Sequence, residues 1–209
     1  MADSPGILVP CSTAFPEIED ADLLLWRPHG CLIARVRGWI VAQLTRGEHC
    51  HASKAAWKDG VLQTIGTEEG SGGVEEPLEP LVRCYPGRID VYKANPENRW
   101  PEYDRAASIA WTREHGVGRA YGWRATVRCA LSRVVILRWL PWFSPNRDDD
   151  ANGTKPPNCS ALCAMSDRLG GGVDPVEDRS DLATEPGDLA RSKFYRFRFT
   201  LVPDSGQEG

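Results

Sequence analysis

The chain has 209 residues, of which 41% are hydrophobic and 26% are charged, and it contains eight tryptophans. This length favours one domain over several, and the composition is typical of a globular protein with a hydrophobic core, not of a disordered chain. Twenty-five lysines and arginines stand against 29 aspartates and glutamates, which gives a net charge of −4. That balance excludes a basic surface for nucleic acid and a polybasic membrane anchor.

The ends of the chain and its hydropathy predict the cellular location. The N-terminal sequence MADSPGILVPCSTAFPEIED carries acids and prolines where a signal peptide has basic residues and then an apolar run. The longest apolar run, 134–140, is interrupted by Arg138 and is far shorter than the roughly 20 residues that span a bilayer. We therefore expect a cytoplasmic protein without a membrane span. The seven cysteines are odd in number and widely spread, unlike those of a secreted disulfide scaffold.

The first half of the chain predicts one helix among short strands, after an irregular lead-in over residues 1–21. Apolar residues at 32, 33, 36, 40 and 44 predict an amphipathic helix that ends at Gly47. Asp59-Gly60 is a hairpin signal. The glycine-rich stretch 66–73 predicts a loop, and its acids and the lack of a G-K-[ST] sequence exclude a phosphate-binding loop. The predicted strands are 22–26 and, as a small antiparallel meander, 50–57, 61–65 and 88–94.

The second half predicts mostly helices and one closing strand. Helical patterns cover 103–115 and 123–140, and a proline-rich connection follows over 141–158. Asn158 predicts the N-cap of a helix that runs to about residue 169. A short helix at 187–192, a strand at 194–201 and a C-terminal tail at 203–209 complete the chain. This order predicts an α+β fold in one domain spanning residues 22–202.

Cys159, at the start of the predicted helix, is the first candidate for chemistry. Backbone N–H groups at a helix start and the positive end of the helix dipole both favour a thiolate there. Because the thiolate is the nucleophilic form of cysteine, Cys159 is a candidate catalytic nucleophile. The alternative is a buried structural thiol.

Two histidines at the head of a predicted strand are the second candidate. Strand alternation places His49 and His51 on one face, where either imidazole can act as a base to a thiol or simply pack. Together with Cys159 and Cys163, one helical turn apart, they could also form a tetrahedral zinc site. The cysteines lack the short spacing typical of structural zinc sites, so we expect no cofactor.

Several short motifs occur in one order that resembles a known family. That family is the circularly permuted, papain-like branch of the NlpC hydrolase superfamily, the YiiX-like group, and the resemblance covers most of the chain from about residue 22 to 201. In this group a histidine on a strand comes first and a cysteine on a helix comes late. The motifs that carry the resemblance are D-L-L-L-W at 22–26, Cys50-His51-Ala52, R-I-D-V-Y at 88–92, Gly118-x-x-Tyr121-Gly122-Trp123 and Asn158-Cys159-Ser160-x-Leu162.

The resemblance implies a permuted papain-like fold and a catalytic pair, with Cys159 as nucleophile and His51 as base. The family's third polar residue, often a glutamate, orients the imidazole, and matching it to the strand 61–65 places Thr64 there. A hydroxyl can accept an imidazole N–H but cannot balance the charge of an imidazolium. Glu68 and Glu69 remain alternatives for this role.

The resemblance also implies an activity and a substrate-binding surface. Cys159 would attack an amide or thioester carbonyl, His51 would protonate the leaving group, and water would resolve the thioacyl-enzyme. The expected partner is a small-molecule or peptide amide substrate. An alternative is an inactive ligand-binding module on the same fold, favoured by the missing third acid. Candidate substrate-binding residues are Tyr121, Trp123, Ser160 and, at the mouth of the proline-rich connection, Trp142.

Overall fold

A seven-stranded sheet forms the centre of the computed structural model, which describes residues 7–28, 48–132 and 152–204. The strand order is β1-β7-β6-β2-β3-β4-β5. The β1–β7 pair is parallel and the other neighbours are antiparallel. The sheet is therefore mixed and larger than the small antiparallel sheet predicted from the sequence. The strands are β1 Leu8–Pro10, β2 Leu23–Pro28, β3 His51–Lys58, β4 Val61–Glu68, β5 Gly72–Pro77, β6 Gly87–Ala94 and β7 Tyr195–Val202.

The helices flank this sheet and agree in part with the predicted ones. Asp104 caps the helix over 105–115, because its side chain accepts the N–H of Ala107. The predicted helix over 32–46, the end of the 123–140 helix from residue 133 and residues 141–151 lie outside the described residues. No helix within the described ranges is long and apolar enough to cross a membrane. The helices are α1 Cys11–Ala14, α2 Leu78–Cys84, α3 Arg105–His115, α4 Trp123–Ser132, α5 Cys159–Met165 and α6 Pro186–Arg191.

Two segments that the sequence analysis interpreted as irregular are ordered parts of the sheet. Strand β1 lies in the predicted lead-in and pairs with β7, the last strand of the chain. Ala14 and Ile18 behind it are buried. The predicted glycine-rich loop is also shorter than expected, because β4 continues to Glu68 and β5 begins at Gly72. Strand β1 pairs with a strand that is distant in the sequence, so no local pattern predicts it. The glycines at the end of β4 and the start of β5 are typical of loops, so the sequence did not indicate that the strands continue there.

The two faces of the sheet carry different helices, and this decides where the site lies. Alternating side chains place Leu25 and Ala52 in one cluster with Cys163 of α5. The intervening residues, including Trp26, pack in a second cluster with Val82 of α2. We call these surfaces the α5 face and the α2 face.

A buried ion pair fixes α5 against strand β3. The Nζ atom of Lys54, which is fully buried, lies 2.7 Å from each carboxylate oxygen of Asp167, in the π-helical turn Ser166–Gly170 that follows α5. Lys54 also donates to the Ala21 carbonyl and contacts the Tyr195 hydroxyl. Tyr103 donates to Asp167 at 2.6 Å. Every charge in this cluster is partnered, as burial requires, and the cluster sets the position of α5 and its first residue.

Candidate functional site

Cys159 is the first residue of α5, as the sequence predicts. The Asn158 side chain caps the helix by accepting the N–H of Ala161 at 2.9 Å. The thiol is buried, and burial raises the pKa of Cys159 to about 11. The backbone N–H groups of Ala52, Ser160 and Cys159 itself point at the sulfur and act in the opposite direction, because they stabilise a thiolate. The sulfur therefore lies among donors but in a dry environment.

The sulfur contacts β3 at the point where β3 and β4 separate. Ala55 makes its hydrogen bonds toward β2, with the Asp22 carbonyl accepting its N–H at 2.8 Å. Because N–H directions alternate along a strand, the N–H of Ala52 points toward β4. The β3–β4 pairing begins only at Lys54 and Ile65, so this N–H is available to Cys159. The site is the opening between the two strands.

His51 begins strand β3 and lies beside the same opening. The register pairs it with Trp26, on the α2 face, and the two rings contact edge to face with their centroids 5.8 Å apart. Its Nε2 atom lies 3.3 Å from the position that a Cβ on Gly66 would occupy. The residue is partly exposed at the start of its strand, whereas desolvation of the ring lowers the pKa of His51 to about 4.

Both candidate catalytic residues lie next to the peptide group between His51 and Ala52, but the Cys159 sulfur and the His51 ring do not form a hydrogen bond with each other. The Cys159 sulfur lies against the N–H of Ala52, and the His51 ring belongs to the preceding residue. The ring is turned toward Trp26 and Gly66, whereas α5 lies on the other face of the sheet. Among the described residues, His51 has no hydrogen-bond partner, Cys159 included. The roles of Cys159 and His51 stay predictions.

Thr64, the predicted orienting residue, makes its hydrogen bond to a side chain other than His51, and its role stays a prediction. The Thr64 hydroxyl donates to the Ser53 hydroxyl at 2.7 Å, and that hydroxyl also accepts from the Trp26 indole at 3.0 Å. Gly66, two residues further along β4, is the residue beside the His51 ring. The sequence analysis ended this strand at residue 65, whereas β4 continues to Glu68.

The segment around Gly122 forms a wall next to Cys159. Its N–H donates to the Pro157 carbonyl at 3.0 Å, and a Cβ at this position would lie 2.2 Å from the Pro156 carbonyl oxygen. On either side of it, the rings of Tyr121 and Trp123 contact each other at 5.2 Å, and Trp123 is 53% exposed. These two candidate substrate-binding residues are therefore near the start of α5.

The other two candidate substrate-binding residues have different outcomes. The Ser160 side chain is buried and donates to the Thr184 carbonyl at 2.7 Å. Its hydroxyl is engaged in this contact, and its backbone N–H reaches the Cys159 sulfur. Substrate binding by Ser160 stays a prediction. Trp142 lies outside the described residues.

The four candidate zinc ligands do not gather at one point. The ring of His49 is buried, and its Nε2 lies 2.9 Å from Oδ2 of Asp90 on β6. Cys163 packs in the core of the α5 face, and burial raises its pKa. Within the described ranges, no group of three or more histidine, cysteine or acidic side chains is placed to hold a metal. The Asp90 contact was not predicted, because R-I-D-V-Y indicates only an alternating strand.

Comparison with known proteins shows a likeness in structure rather than in sequence. No protein-family model and no curated protein matches the chain. The fold matches the crystal structure of the metalloprotein YiiX from Escherichia coli O157:H7, with a TM-score of 0.57 over 89% of this chain and 99% of that chain. The two sequences are 9% identical, so the likeness concerns the fold. The chain therefore has an α+β fold, with a mixed seven-stranded sheet and flanking helices, that resembles the fold of YiiX.

Proposed function

We propose that the protein is a cysteine-dependent hydrolase of a peptide or acyl amide, with Cys159 as nucleophile and His51 as base. The observation that carries the proposal is the position of the Cys159 sulfur. It lies at a capped helix start and against the N–H of the residue that follows His51. A nucleophile, hydrogen-bond donors and a titratable base therefore lie around one opening, which is the set of groups that acyl transfer requires.

The mechanism starts from a neutral pair. With the pKa of His51 near 4 and the pKa of Cys159 near 11, the imidazole and the thiol are both uncharged at neutral pH. His51 turns from Trp26 toward the Ala52 peptide and accepts the thiol proton as the sulfur attacks the carbonyl carbon. The carbonyl oxygen takes the negative charge, and the backbone N–H groups at the start of α5 donate to it.

The acyl-enzyme then forms and is hydrolysed. The carbon–nitrogen bond breaks as the imidazolium of His51 gives its proton to the departing amine, which leaves a thioester on Cys159. Water attacks the thioester with His51 as base, and the sulfur leaves as a thiolate that takes back the proton. Tyr121 and Trp123 provide an aromatic wall for the substrate, and we propose a cytoplasmic amide as that substrate.

Trapping the acyl-enzyme tests this proposal. We expect p-nitrophenyl acetate to add one acetyl group to the wild-type protein, and peptide mapping to place it on Cys159. Cys159→Ala is expected to abolish the adduct, whereas the matched control Cys84→Ala, which removes an exposed thiol, retains it. Acetylation that persists at the wild-type rate in Cys159→Ala would contradict the proposal.

A second candidate function is a ligand-binding module without turnover. Gly66 favours it, because this residue offers no acceptor to the His51 ring. An imidazole without an oriented partner is a poor base in a dry site. Turnover of any amide or ester that depends on Cys159 excludes this candidate.

A further inference from the structure

A polar cavity lies near the end of α5 that is far from Cys159. Its volume is about 290 Å³, which is close to the lower limit for a small-molecule site. Arg168 and the polar residues of the loop 174–181 line it. Arg168 follows Cys159 by nine residues, which is about 14 Å along a helix axis. The cavity is therefore separate from the opening beside the Cys159 sulfur.

The loop that lines this cavity is attached to the core. Val176 is buried in the cluster of the α5 face, and its N–H donates to the Asp174 side chain at 2.9 Å. Just before the loop, the N–H of Val173 donates to the carbonyl of Asp167 at 2.9 Å, beside the buried ion pair. Because these contacts fix the loop, a ligand has little ordering to induce when it binds.

Both arginines of the cavity already have a carboxylate partner. The Nε–H of Arg168 donates to Oδ2 of Asp181 at 2.8 Å. The Nη1 atom of Arg179 lies 3.1 Å from Oδ2 of Asp188. An anionic ligand would have to displace one of these aspartates, so the cavity does not favour an anion.

Three acceptors of the cavity are left for a cation. Glu177 and Asp178 are exposed, and neither makes an ion pair with the residues that the structure describes. Ser180 is only 6% exposed, and its hydroxyl has no hydrogen-bond partner in the described parts of the chain. A buried hydroxyl without a partner costs free energy, which a donor from a ligand would recover. Carboxylates and hydroxyls all accept hydrogen bonds from an ammonium group.

The spacing of these acceptors favours an extended cation over a metal ion. Among the described residues, the acids form no cluster that could hold a metal, so one small ion cannot reach them together. We propose that the cavity binds an aliphatic polyamine, whose ammonium groups donate to the carboxylates of Glu177 and Asp178 and to the Ser180 hydroxyl. This second site does not depend on turnover at Cys159.

Calorimetric titration of the protein with spermidine tests this proposal, at about 0.15 M salt to screen nonspecific attraction. We expect saturable binding at one site. The double variant Glu177→Gln/Asp178→Asn is expected to raise the Kd about five- to twentyfold, because two exposed ion pairs are lost. The matched control Glu69→Gln/Glu114→Gln removes two exposed acids outside the cavity and is expected to leave the Kd unchanged. No saturable binding, or an equal Kd in both double variants, would overturn the proposal.

Ser180→Ala separates ligand binding from folding. This variant removes a hydroxyl that has no partner, so the folded protein is expected to keep or gain stability. It is expected to raise the Kd for spermidine about tenfold, because a hydrogen bond to a charged donor is lost. An unchanged Kd in Ser180→Ala would overturn the assignment of this contact.

Two other cations test the class of the ligand. Butylamine carries a single ammonium group and is expected to bind about fivefold or more weakly than spermidine, because it can meet only one of the carboxylates. Magnesium chloride at the same concentration is expected to leave spermidine bound. Butylamine that binds as tightly as spermidine, or magnesium that displaces spermidine, would overturn the assignment to a polyamine.

Discussion

Replacing Lys54 with methionine is expected to lower the free energy of unfolding by about 3–5 kcal/mol, because it leaves Asp167 buried without a counter-charge. Both side chains are fully buried, and Nζ is bonded to both carboxylate oxygens. Methionine keeps the length of the side chain but none of its donors, so the Ala21 carbonyl also loses a partner. Urea denaturation followed by tryptophan fluorescence measures the loss.

Lys58→Met is the matched control for this prediction. Lys58 ends the same strand, its side chain is 57% exposed, and its Nζ lies 3.8 Å from the Glu75 carboxylate. An exposed pair of this kind contributes up to about 1 kcal/mol. If Lys54→Met costs no more than Lys58→Met, the buried pair does not anchor α5 as described.

Replacing His51 with glutamine is expected to lower kcat/KM by about 10²- to 10⁴-fold, because it removes the general base. His49→Gln is the matched comparison, since His49 is a buried histidine two residues away whose ring is bonded to Asp90 instead. It is expected to lower stability by about 1–3 kcal/mol while the folded protein keeps its kcat. The prediction fails if the two variants lose kcat/KM to the same degree under conditions where both are folded.

The pH profile of the wild-type enzyme gives a second test of the role of His51. Burial holds the pKa of His51 near 4, so the ring is in its basic form over the whole neutral range. The pKa of Cys159 near 11 keeps the thiol protonated over the same range. We therefore expect kcat/KM to be flat from about pH 6 to pH 9 and to fall below about pH 5 as the ring binds a proton. A rise of kcat/KM through pH 6 to 7 would show an unperturbed histidine instead.

Local sequence signals predicted those parts of the fold that are determined by residues close together in the sequence. Asn158 caps α5 through a side chain three residues from its partner, and Asp59-Gly60 closes the β3–β4 hairpin through its own backbone. The order of a histidine on a strand and a cysteine on a helix was a pattern along the chain. The YiiX-like fold followed from that order, and the structural match supports it at the level of the fold.

The parts that could not be predicted depend on long-range pairing. Strand β1 finds its partner about 190 residues away in β7, which no local pattern records. The sequence alone indicates a surface position for Lys54, because its buried partner Asp167 is distant in the sequence. Gly66 lies beside the His51 ring because β4 continues past residue 65, and the glycines near the end of β4 concealed this length in the sequence.

A crystal structure of the protein with Cys159 covalently acylated by a substrate analogue tests the central claim most directly. The measured quantity is the distance from the Cys159 sulfur to the nearer ring nitrogen of His51. The account predicts that the ring has turned from Trp26 toward the sulfur and that this distance is about 3–4 Å. A ring that stays packed on Trp26 beyond hydrogen-bonding reach, or an acyl group carried by another cysteine, would contradict it.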